Sequence, residues 1–180
     1  METMYFIVQL LNATAQKSIK GRIHLQKLVY FCKAFGVDID ANYKLYIYGP
    51  FSQQVANALQ ECVIDDIMVE TNGEIRMGTD FETYWDDNIS EENKFKGQTT
   101  DIVNKVLGLC GNLTAKEIEI DATTFYIQRQ QTALYGKAEK DSVIDKVEAA
   151  KGARFTHTEI LDAYERVQKK YIPFIHTIKS

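Results

Sequence analysis

The chain has 180 residues, enough to bury a substantial core in one domain or two closely packed halves. Its 45% hydrophobic and 26% charged residues are ordinary globular values and exclude extensive disorder. A formal net charge of −4 argues against a globally basic nucleic-acid binder, and no apolar run reaches the roughly 18–20 residues of a membrane span.

Residues 3–15 place Phe6, Ile7, Leu10 and Leu11 on one stripe, which predicts an amphipathic helix and not a secretory signal. Residues 18–22 break that pattern. Residues 23–35 resume it with Ile23, Leu28, Val29, Phe31, Cys32 and Phe35, apolar over so much of the circumference that a central, buried helix is expected, closed by Gly36. Tyr43–Tyr48 reads as one strand with Tyr46 and Tyr48 on the same side, stopped by Gly49-Pro50. Ser52 is placed to cap a helix carrying Val55, Leu59 and Val63.

The clearest local signal is Asn72-Gly73, the dipeptide suited to a type I′ turn because both central residues need positive φ. It predicts a hairpin with Ile67 and Val69, then Ile75 and Met77, on the buried face. Residues 79–92 are acidic and poor in aliphatics, and read as a linker between a unit at 1–78 and a helical half at 93–180. In that half, Ile102, Val103, Val106 and Leu107 mark a helix ended by Gly111. Thr114 with Glu117 and Thr156 with Glu159 are capping boxes for two more, and a short helix from Asp141 or Ser142 ends at Gly152. Pro173 is expected to disturb the last one.

The expected fold is therefore mostly α (α+β): a winged-helix-like N-terminal unit with a small antiparallel sheet, packed against helices. The first predicted strand falls after the second helix, whereas a winged helix has it after the first. That departure weakens the inference that the third helix reads DNA.

No phosphate loop, dinucleotide fingerprint, metal helix or nucleophile elbow occurs, so neither catalytic residue nor cofactor is expected. Cys32, Cys62 and Cys110 are odd in number and widely spaced, and only His24, His157 and His176 are available to join them in a metal site. Buried reduced thiols in a cytoplasmic protein are the expectation. A basic stretch at 17–33 holds Lys17, Lys20, Arg22, Lys27 and Lys33 with no acid. With Arg76 on the hairpin, Lys17, Lys20 and Arg22 would be the phosphate contacts of a DNA-binding regulator.

The run Leu25-Gln26-Lys27-Leu28-Val29-Tyr30-Phe31, followed by Tyr46-Ile47-Tyr48-Gly49-Pro50-Phe51-Ser52, resembles the YwgA-like proteins and the related Panacea domain. A weaker echo lies at Val143–Tyr164, a helix, a Lys-Gly turn and a helix ending in Ala163-Tyr164. The resemblance implies an antitoxin-like or regulatory module that acts by binding a partner protein, such as a toxin encoded nearby. In the motif Leu25, Leu28 and Val29 build core, Gly49-Pro50 fixes a turn and Ser52 caps a helix. Gln26 and Lys27 are its polar members with spare chemistry and, with Tyr46 and Tyr48, the expected partner-binding residues. Phe51 stands where the family often has Tyr.

Overall fold

The computed structural model describes residues 1–178, with side chains placed through Ile175. The chain runs α1 (Thr3–Ala13), β1 (Ser18–Ile19), α2 (Gly21–Ala34), β2 (Lys44–Tyr46), β3 (Gly49–Phe51), α3 (Gln53–Ile64), β4 (Met68–Thr71) and β5 (Glu74–Met77). It continues α4 (Phe81–Asn88), α5 (Gln98–Cys110), α6 (Ala115–Tyr135), α7 (Lys140–Lys151), α8 (His157–Arg166) and α9 (Ile172–Ile178). The protein is mostly helical with two small antiparallel sheets, as its patterning predicts.

The stretch expected only to break the first helix supplies the missing element. Ser18 and Ile19 pair with Arg76 and Ile75, giving a three-stranded sheet of order β1-β5-β4. The first strand of the winged-helix order thus does follow the first helix. It is two residues long and owes its conformation to β5 across the fold, so no local periodicity marks it.

Tyr43–Tyr48 is correspondingly not one strand. Lys44–Tyr46 and Gly49–Phe51 pair as a second hairpin, Tyr46 opposite Gly49, and Ile47-Tyr48 form its turn. Gly49 does not stop a strand. Its φ of +86° turns the chain back, and Pro50 occupies the returning strand. The hairpin is an insertion between the second and third helices of the winged unit.

The hairpin at Asn72-Gly73 forms as expected, with φ of +53° and +77° at the two turn residues. Its buried face differs by one residue on β4. Thr71 pairs with Glu74 across the turn, so Met68 stands opposite Met77 and shares the face of Ile75, while Val69 is only half-buried. A two-residue turn sets this register, and a shift of one residue exchanges the faces. Ile67 is buried, but just before the strand begins.

Residues expected as an acidic linker instead form α4, whose Phe81 is buried and stacks on Trp85 with centroids 6.0 Å apart. One core runs through both halves. Phe6, Leu10, Leu28, Phe31, Val55, Ile102, Phe125 and Tyr171 belong to it. A smaller cluster joins Ile120 and Ile127 of α6 to Val143, Val147, Phe155 and Ile160. α6 lies between the two clusters and is buried over most of its first four turns, so its acids at 119 and 121 must find partners inside the protein.

Both capping boxes form as expected. Five residues of π-helix, Val167–Tyr171, separate α8 from α9 just ahead of Pro173, whose missing N–H cannot continue the ordinary ladder.

Candidate binding site at the aromatic hairpin

The α2 side chains expected to face a partner are turned inward. Gln26 clamps Ser52 in both directions: its Nε2 donates to the Ser52 carbonyl and its Oε1 accepts from the Ser52 N–H, each at 2.9 Å. Ser52 in turn caps α3 by accepting from the Val55 N–H. Lys27 is buried and donates from Nζ to the Pro50 carbonyl at 2.8 Å. Through these bonds the pair holds β3 and the strand-to-helix junction.

The second anchor comes from the far end of the chain. Lys151, the last residue of α7, and Arg154 in the 3-10 turn that follows both donate to the Ile47 carbonyl, at 2.9 and 3.2 Å. Glu119 of α6 accepts from Lys151 Nζ at 2.7 Å and from Arg154 Nη2 at 3.1 Å. The side chains of Lys151 and Glu119 are 0% and 3% exposed, so this ion pair is held away from water. Gly49 passes so close to α6 that a Cβ there would lie 2.6 Å from Thr123 Oγ1.

Burial, helped by the nearby Lys151 charge and partly opposed by Glu119, lowers the Lys27 pKa to about 7. Burial likewise lowers that of Lys151, against the opposing pull of Glu119. Three cations thus meet one carboxylate, and Glu119 is already engaged by Lys151 and Arg154. Among the described residues, the only acceptor bonded to Lys27 is the neutral Pro50 carbonyl.

On this frame the turn stays exposed. Tyr46, Ile47 and Tyr48 are 59%, 68% and 51% exposed. Tyr46 packs on Phe51 with centroids 5.3 Å apart, and the Arg154 guanidinium lies 4.4 Å from the centre of the Tyr48 ring. Beneath the turn, against α2 and α3, is a cavity of about 510 Å³ lined by Ile23, Lys27, Tyr46, Tyr48, Phe51 and Val55 among others. Of the expected partner-binding residues, Tyr46 and Tyr48 are available at the surface, on either end of the turn instead of along one strand face, while Gln26 and Lys27 line the cavity wall.

Of the basic residues expected to meet DNA, Lys17, Lys20 and Arg76 lie apart from this cavity and Arg22 is on its wall, and all four are engaged. Lys17 bonds to Asn12, and Lys20 donates to the Asn112 carbonyl at 2.9 Å. Arg22 of α2 pairs with Glu70 and Arg76 with Glu74, so the hairpin's acids answer both arginines. The third helix contains no lysine or arginine and ends beside exposed Asp65 and Asp66.

Glu119, Lys151 and Arg154 escaped the sequence reading. One local signal bears on them, the Lys-Gly turn at Lys151-Gly152. Asp121, four residues from Glu117, is likewise paired inside the protein. It is buried and accepts from Arg166 at 2.6 Å and from the Tyr171 hydroxyl at 3.1 Å.

The three cysteines are free and buried, and burial pushes the Cys62 thiol up to about 12. Among the described residues no group of histidine, cysteine and acidic side chains is arranged to hold a metal ion, and no helix is long and apolar enough to cross a membrane. The side chain of His176 lies outside the described residues. The chain matches no protein-family model, and no curated protein matches it.

Proposed function

We propose that this chain is a non-enzymatic protein-interaction module, antitoxin-like or regulatory, that binds a partner protein in the cytoplasm through the β2–β3 hairpin. The observation that carries this reading is the exposure of Tyr46-Ile47-Tyr48 on a turn whose backbone is tethered by buried charges. A contiguous exposed apolar patch is unusual unless something covers it. Aromatic side chains on a rigid support lose little conformational freedom on binding, which suits them to be energetic anchors of an interface. The resemblance of residues 25–31 and 46–52 to YwgA-like and Panacea proteins points the same way, toward a toxin encoded beside this gene.

Co-expression with the neighbouring gene products, followed by affinity capture and a growth-rescue assay, tests the proposal. A neighbour should co-purify and, if toxic, be neutralised, and Ile47→Asp should weaken capture at least tenfold without unfolding the protein. Absence of both capture and rescue overturns the reading.

A winged-helix DNA-binding regulator is the second reading, favoured by the strand order β1-β5-β4. The lack of cations on α3 and the pairing of Arg22 and Arg76 with wing acids tell against it. If it holds, duplex DNA binds at low salt, and removing Lys17, Lys20, Arg22 or Arg76 lowers the salt slope by roughly one each. No binding at low salt removes it.

A further inference from the structure

We propose that the cavity under the β2–β3 hairpin is a binding site for a small amphipathic carboxylate, whose apolar body packs on Phe51 and Val55 and whose anionic group is drawn to Lys27. At about 510 Å³ the cavity lies within the range of small-ligand sites, about 300–1,000 Å³, and has their usual make-up of apolar and aromatic walls with few polar groups. Its electrostatics select the ligand's sign. Lys151 and Arg154 share Glu119, whereas the only acceptor bonded to Lys27, among the described residues, is the Pro50 carbonyl. An ammonium has three donors, so this one is under-satisfied, and it sits where few water molecules screen it. A carboxylate supplies the missing counter-charge; a neutral ligand of the same shape does not.

The same geometry makes binding depend on pH. The charged groups around Lys27 and its cavity are Glu119 from α6, Lys151 from α7 and Arg154 from the following turn, with the Tyr48 ring beneath Arg154, and Arg22 on the cavity wall, whose charge is answered by Glu70. Lys27 loses its proton near pH 7 in the free protein. A bound anion favours the protonated amine, so above that pH binding takes up a proton and affinity falls as pH rises, by up to about tenfold per unit. This inference needs no partner protein and stands or falls apart from the partner reading.

The test is a ¹H–¹⁵N NMR titration of the full chain with 3-phenylpropionate and with its neutral amide, 3-phenylpropanamide, at pH 6.5 and 9. The acid should bind at least tenfold tighter than the amide at pH 6.5, shifting amides of Tyr46–Phe51 and of α3, and the preference should shrink at pH 9. Lys27→Met should abolish the preference while the amide still binds, which shows that the cavity is intact. Ala56→Phe, at the cavity wall, should block both ligands without touching any charge. The proposal is overturned if neither ligand binds at millimolar concentration, if acid and amide bind alike, or if Ala56→Phe leaves acid binding unchanged. Should Lys27→Met not fold, the pH comparison and Ala56→Phe decide alone.

Discussion

The two hairpins of the N-terminal unit are close in size and opposite in construction. β4–β5 is specified next to itself: Asn72-Gly73 makes its turn, β1 covers one edge, and its exposed Arg76 is answered by Glu74 on the same strand. β2–β3 has an apolar turn and is held from a distance. Its carbonyls at 47 and 50 are gripped by Lys27, Lys151 and Arg154, and the grip depends on Glu119. A hairpin stabilised by its own turn can afford an ordinary polar surface. One held from behind leaves its turn residues free of structural duty, and so available for recognition.

That contrast is most exposed at Glu119. Glu119→Gln leaves Lys151 buried without a counter-charge, and should cost about 3–5 kcal/mol in urea denaturation. A cost below about 1 kcal/mol would mean that the buried charges do not hold the hairpin. The two turn glycines give a matched comparison. At Gly49 an alanine meets both a left-handed backbone and Thr123, for a loss of about 2–4 kcal/mol. At Gly73, where nothing lies within 4 Å of the added Cβ, only the backbone term of about 1–2 kcal/mol remains. Thr123→Ala should recover part of the loss at Gly49 and none at Gly73.

The anchor also titrates. The Lys27 pKa falls from 10.5 to about 7 on folding, so between those values the unfolded chain binds the extra proton and stability rises with pH. Measured against Lys27→Met, the wild type should therefore gain ground as pH increases from 7 toward 10, by at most about 1.4 kcal/mol per unit, with no change in the difference below pH 6. A flat difference throughout would place Lys27 in contact with water. The smallest effects belong to the wing. Arg22→Ala and Arg76→Ala break exposed pairs, and each should shift the denaturation midpoint by an amount equivalent to no more than about 1 kcal/mol.

The difference between the hairpins also explains what could be read from the chain. The wing was legible because its turn needs two positive-φ residues in a row, and few dipeptides provide them. The aromatic hairpin reads as a single strand because its turn, Ile47-Tyr48, carries β-branched and aromatic residues that by propensity belong in strands. Its returning strand begins with Gly-Pro, which by the same logic ends one. At the candidate site Tyr46 and Tyr48 are exposed, but around a turn and not along one face of a strand, as their alternation leads one to expect. Gln26 and Lys27 stand out in the sequence as polar residues on an apolar helix, and the fold turns both inward. Polar residues on a buried helix are there to satisfy something, and only the fold shows that it is the backbone at Pro50 and Ser52.

Periodicity, capping boxes and turn chemistry thus determined the helical class, most helix starts and the wing, because each depends on residues within a few positions of one another. Tertiary structure alone decided the pairing of Ser18-Ile19 with β5, the packing of α4, and the seating of the aromatic hairpin on Glu119, Lys151 and Arg154. Those contacts join residues tens of positions apart, and their energy comes from desolvated charge and close packing, which no local pattern encodes.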